Sequence, residues 1–66
     1  MLHFPTLMDA FNERVRGRIQ PARLVLSPEN FDDFRRKTDF GLLFQGCDVV
    51  RDPNEPNFRF EGEMVY

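Results

Sequence analysis

Cysteine, histidine and tryptophan are nearly or wholly missing from this chain: Cys47 is the one thiol, His3 the one imidazole, and there is no Trp. A single thiol makes no internal disulfide, so the fold has no covalent staple. One thiol with one imidazole also falls short of a four-ligand zinc site unless carboxylates join it. No apolar stretch approaches the ~18 residues of a membrane span. Met1 to Phe4 is too short and too uncharged for a secretory leader. The expectation is a soluble, intracellular chain with no membrane contact. Long basic runs are lacking too, and the sequence pI of about 5.2 argues against indiscriminate nucleic-acid binding, which needs clustered Lys and Arg. The four glycines are dispersed, and none opens a helix after a strand as a phosphate-cradling loop requires. No repeat or low-complexity segment interrupts the pattern, so residues 1–66 read as one domain.

What the chain does have is phenylalanine: eight in 66 residues, within a composition that is 41% apolar and carries 9 basic against 11 acidic side chains. At 7.9 kDa a folded monomer is expected to expose roughly 4,400 Å². So small a domain is marginally stable and has no room for a deep catalytic cleft between domains. Its large rings are needed inside, and Phe11, Phe31, Phe34, Phe58 and Phe60 are the expected core.

Leu7, Met8, Phe11 and Val15 recur at helical spacing, while Asp9, Asn12, Glu13 and Arg16 fall largely elsewhere. The pattern predicts an amphipathic helix over about residues 6–16, opened by a Thr6/Asp9 capping box and stopped by a left-handed Gly17. Ala22 to Leu26 lies between Pro21 and Pro28 and is too short for a helix. Three consecutive apolar residues within it predict a central strand covered on both faces. Ser27-Pro28-Glu29 then reads as N-cap, first-turn proline and first-turn acid, and Arg35-Arg36-Lys37 crowd the negative end of the helix dipole. The predicted second helix covers 28–37, with Asp32 pairing to Arg35 or Arg36.

Two further apolar runs, Leu42 to Phe44 and Cys47 to Arg51, flank Gln45-Gly46 and predict a tight hairpin. Asp52 to Pro56 is a turn cluster in which Asp52 is suited to Asx hydrogen bonding. Phe58-Arg59-Phe60-Glu61 alternates as a half-buried strand does. Gly62 marks a bulge or turn, and Met64-Val65-Tyr66 end the chain on apolar residues that are expected to dock. The sum is an α+β domain of order α-β-α-β-β-β, two short helices on a small, mainly antiparallel sheet.

Catalytic chemistry finds little support in the residues. His3 precedes the first helix, near an end expected to be mobile, with no Ser or Cys neighbour. Asp48 disfavours the thiolate of Cys47, which reads as a small buried hydrophobe. Asp32-Asp33 and the set Asp52, Glu55 and Glu61 could supply an acid/base pair or a hard-metal site, but their spacing is unspecific and solvated or structural roles are expected. No catalytic, cofactor or metal site is therefore assigned, and an enzyme is not expected. Recognition is expected instead on the exposed rim of the second helix and on the turn after the hairpin, with Asp32, Arg35, Arg36, Asp52, Asn54 and Glu55 as the candidate partner-binding residues.

The segment order resembles the axial-domain core of the tailed-phage major capsid fold. There a helix leads to a strand ending in an apolar-Ser/Asn-Pro turn and a short helix. A strand pair with an aromatic-x-Gly-x-x-Val-Val pattern follows, and after a proline-bearing turn comes a strand ending in Gly. The matching residues are Leu24-Val25-Leu26-Ser27-Pro28, then Phe31 and Phe34, then Phe44-Gln45-Gly46-Cys47-Asp48-Val49-Val50, and Pro56 with Phe58 to Gly62. Where the family often has Pro, this chain has Cys47-Asp48. A capsid subunit also carries a peripheral domain, an extended arm and a long hairpin, which 66 residues do not hold. The resemblance thus implies a miniature relative or a convergent fold.

The functional expectation is a non-enzymatic phage or prophage interaction module, a virion accessory or assembly modulator. It would work in the host cytoplasm or virion, meeting a viral structural or host protein and forming a possible homo-oligomer. The alternatives are a phage-encoded inhibitor of a host defence or regulatory enzyme and, less favoured, a nucleic-acid-binding regulator.

Overall fold

A computed structural model describes residues 2–38 and 42–63. Helix α1 spans Phe4–Arg16, strand β1 Arg23–Leu26, helix α2 Pro28–Lys37, and strands β2, β3 and β4 span Leu43–Phe44, Cys47–Arg51 and Phe58–Glu61. The strands form one mixed sheet in the order β2-β3-β1-β4. β1 runs parallel to β3, while β1 with β4 and β2 with β3 are antiparallel. The domain is α+β, with a mostly antiparallel sheet. Its accessible surface of 4651 Å² lies close to the size expected for its mass.

Register sorts the sheet into two faces. Leu24 stands beside Val49 and Phe60, Leu26 beside Phe58, and Phe44 beside Cys47, so these side chains share one face. They meet Leu7 and Phe11 of α1 and Phe34 of α2 in a single buried cluster, which puts both helices on that side. Arg23, Val25, Leu43, Asp48, Val50, Arg59 and Glu61 alternate to the other face. Val25 is nevertheless buried, set by register between Val50 and Arg59. β1 is thus the central strand that its apolar run predicted.

The first helix begins two residues before its expected start. Pro5 is tolerated there because the first-turn N–H groups have no intrahelical acceptor. No capping box forms. His3 is the N-cap, makes no side-chain cap to the backbone, and its Nδ1 lies 2.7 Å from Thr6 Oγ1. The helix end also differs. Gly17 has φ −77°, and the left-handed residue is Arg18 at φ 62°. Ile19 N–H donates to Arg14 C=O and Arg18 N–H to Val15 C=O, both at 2.9 Å, the paired bonds of a Schellman stop displaced by one residue. Leu2 is buried, and its N–H donates to Asp33 Oδ2 at 3.0 Å. The segment bearing His3 is therefore pinned rather than loose.

Helix α2 matches its expected span. The Ser27 side chain accepts from the Asn30 N–H at 3.2 Å, and Pro28 lies in the first turn. Its ion pair is not the expected one: Asp33, held by the Leu2 amide, pairs with Arg36 at 2.7 Å. The β2–β3 turn is also as expected, with Gln45 at φ 50° and Gly46 at φ 82°. Two successive positive φ values are those of a type I′ hairpin turn.

In the core, Phe11, Phe34 and Phe60 are buried, whereas Phe31 and Phe58 are half-buried rings packed at its margin. Phe31 lies about 60° around the helix from Phe34, and Phe58 starts an edge strand. Phe44 takes the central place instead. Its ring stands 6.1 Å from Phe11, 6.4 Å from Phe34 and 6.1 Å from Phe60, in edge or tilted geometries favourable to aromatic pairs. The expected docking of Met64-Val65-Tyr66 lies outside the described residues.

Candidate partner-binding surface

Helix α2 holds one side against the core through Phe34 and turns Asp32, Arg35 and Arg36 outward. These three line an open hollow of about 450 Å³. Arg36 is tied to Asp33, yet its side chain stays 72% exposed. The Leu2 N–H, and then Arg36, hold the Asp33 carboxyl below the usual carboxylate range. The hollow therefore has a guanidinium wall, and one of its two arginines, Arg36, is held by a pair with Asp33.

The other candidates lie elsewhere. Asp52, Asn54 and Glu55 sit in the loop joining β3 to β4. That loop docks on the first turn of α2, where the buried Asn30 donates through Nδ2 to Asn57 Oδ1 at 2.8 Å and to Asn57 C=O at 3.0 Å. Arg35 and Arg36 belong to the last turn of the same helix. The six candidates thus form two groups, Asp32, Arg35 and Arg36 on α2 and Asp52, Asn54 and Glu55 on the β3–β4 loop.

Within the loop the acids face inward to a shared cation. Asp52 Oδ1 accepts from the Asn54 N–H at 2.9 Å, closing the expected Asx turn, and Oδ2 accepts from Arg59 at 3.2 Å. Glu55 Oε2 pairs with Arg59 as well, and Oε1 accepts from the Asn57 N–H at 3.3 Å. Glu61 bridges Arg59 at 3.3 Å and Arg23 at 2.9 Å. The Asn54 N–H and then Arg59 lower the pKa of Asp52. Arg23 and then Arg59 lower that of Glu61. Glu55, followed by Asp52 and Glu61, raises that of Arg59. Arg59 and Asn30 organise the loop, and neither was singled out from sequence. The alternation placing Arg59 and Glu61 on one strand face was the one available signal.

The one thiol and the one imidazole each have a hydrogen-bond partner. Cys47 is buried and its thiol donates to Pro21 C=O at 3.3 Å. Burial, and secondarily Asp48, pushes its pKa up. His3 lines a hollow of about 170 Å³ with Leu2, Thr6, Asn57 and Phe58, its Nδ1 occupied by Thr6. Among the described residues no helix is long and apolar enough to cross a membrane. No protein-family model, curated protein or solved structure matches this chain.

Proposed function

We propose that this chain is a non-enzymatic interaction protein of a phage or prophage, a virion accessory or assembly modulator, that binds a protein partner through the outer flank of α2. The hollow of about 450 Å³ lined by Asp32, Arg35 and Arg36 carries the proposal. Arginine is favoured at protein interfaces because its planar fork makes directional bonds while its stem covers apolar surface. Here the guanidinium groups project from a helix capped at Ser27 and anchored by Phe34, so the backbone that presents them is ordered before binding. Burial of the one thiol, Cys47, favours recognition over thiol catalysis. The phage assignment rests on the segment-order resemblance alone, as does a place in the virion or host cytoplasm. No cofactor is part of the proposal.

The test is capture from phage-infected lysate by the wild type beside an Arg35→Glu/Arg36→Glu variant, with fold checked by circular dichroism. Retention of a defined partner that the folded variant loses is the expected result. No retained protein, or equal retention by both, would contradict it. Charge mimicry by an enzyme inhibitor is less favoured, because Arg59 already occupies Asp52 and Glu55. If mimicry were the mechanism, neutralising Asp32, Asp33, Asp52 and Glu55 would abolish inhibition. A nucleic-acid regulator would show a salt-dependent gel shift sensitive to Arg35 and Arg36.

A further inference from the structure

Strand β4 pairs with β1 on one side, and among the described residues no strand pairs with its other side. Which backbone groups face that edge follows from the ladder. The Ser27 N–H donates to Asn57 C=O at 2.9 Å, and antiparallel alternation from that pair assigns the ladder bonds to Arg59 and Glu61. The N–H and C=O of Phe58 and Phe60 are thereby turned to the outer edge. Charges on edge strands commonly repel a second strand. Here they alternate in sign two residues apart, Arg59 then Glu61, on the same sheet face; they pair with each other at 3.3 Å and with Asp52, Glu55 and Arg23, yet their side chains stay 44% and 38% exposed and open to a further partner across the edge.

That order is self-complementary in one register. In an antiparallel pair of two β4 strands centred on Phe60, each Arg59 faces Glu61 of the second copy, and the two Phe60 residues exchange their backbone bonds. Centring the pair on Arg59 or on Glu61 sets like charges opposite each other, which disfavours those registers. We propose that the edge of β4 left unpaired by the described strands is a homodimer interface in which two copies pair antiparallel about Phe60, joining their sheets into one continuous sheet with a two-fold axis. This interface is independent of the α2 surface, and neither test bears on the other.

Sedimentation over a concentration series tests it, with Glu61→Arg, Arg59→Glu and an equimolar mixture of the two. The wild type is expected to dimerise reversibly. Each variant alone sets two like-charge pairs across the axis and is expected to weaken dimerisation about tenfold. The mixture restores complementary pairs and is expected to recover wild-type association as heterodimer. Hydrogen exchange at the Phe60 amide gives a readout needing no variant: protection should rise with protein concentration, in step with dimer. A wild type that stays monomeric at concentrations on the order of 1 mM overturns the proposal. So do a mixture that forms no heterodimer from folded variants and a Phe60 amide indifferent to concentration.

Discussion

Arg18 holds a left-handed conformation, φ 62°, that crowds any side chain bearing a Cβ. Its neighbour Gly17, free to adopt that geometry, does not use it. The stop motif fixes the left-handed site one residue past the cap, where the chain supplies Arg. Arg18→Gly is therefore expected to raise stability by about 0.5–1 kcal/mol, read as a higher denaturant midpoint with unchanged slope. Asn30 is the opposite case, a polar side chain that is buried because it is satisfied. Asn30→Ala leaves the Asn57 acceptors without their donor and unties the loop from α2. A loss of about 1–2 kcal/mol is expected in the same measurement. Position 30 was not legible in sequence, since an Asn in a first helical turn is ordinarily solvated. Only the approach of Asn57, 27 residues away, gives it a role.

At the scale of elements, what could be read was local. Ser27-Pro28 fixed the start of α2, and Gln45-Gly46 fixed a two-residue turn, because cap and turn chemistry act within a few residues of themselves. The parallel pairing of β3 with β1 was not readable, as it depends on a return across the sheet that no short window encodes. The candidate surface divides in the same way. Exposure of Asp32, Arg35 and Arg36 followed from helical periodicity, whereas engagement of Asp52 and Glu55 by Arg59 required β4 to bring Arg59 to the loop. That network carries a pH consequence. Asp52 and Glu61 have lowered pKa values in the folded state, so their contribution is present at neutral pH. It is lost as pH falls through the ordinary carboxylate range toward their folded values. Arg59→Met is expected to flatten that acid-side fall only in part, because the Asn54 N–H and Arg23 still act on the two carboxyls. Denaturant midpoints across the acid range, compared with wild type, check it, and added salt should shrink the difference.

For the molecule as a whole, size sets the terms. A domain of 66 residues has little stability in reserve, and it gathers the rings of Phe11, Phe34 and Phe60 around Phe44 to hold one core. Phe44→Ala is expected to cost about 3–5 kcal/mol, enough to leave much of the chain unfolded by circular dichroism at 25 °C. The surface proposed for meeting a protein partner is the arginine-lined flank of α2. The most direct measurement is the affinity of the captured partner, purified and titrated by calorimetry against wild type and against folded Arg35→Glu/Arg36→Glu. At least about a tenfold loss, 1.4 kcal/mol, is expected for the variant. Equal affinities would contradict the account and move the contact surface off α2.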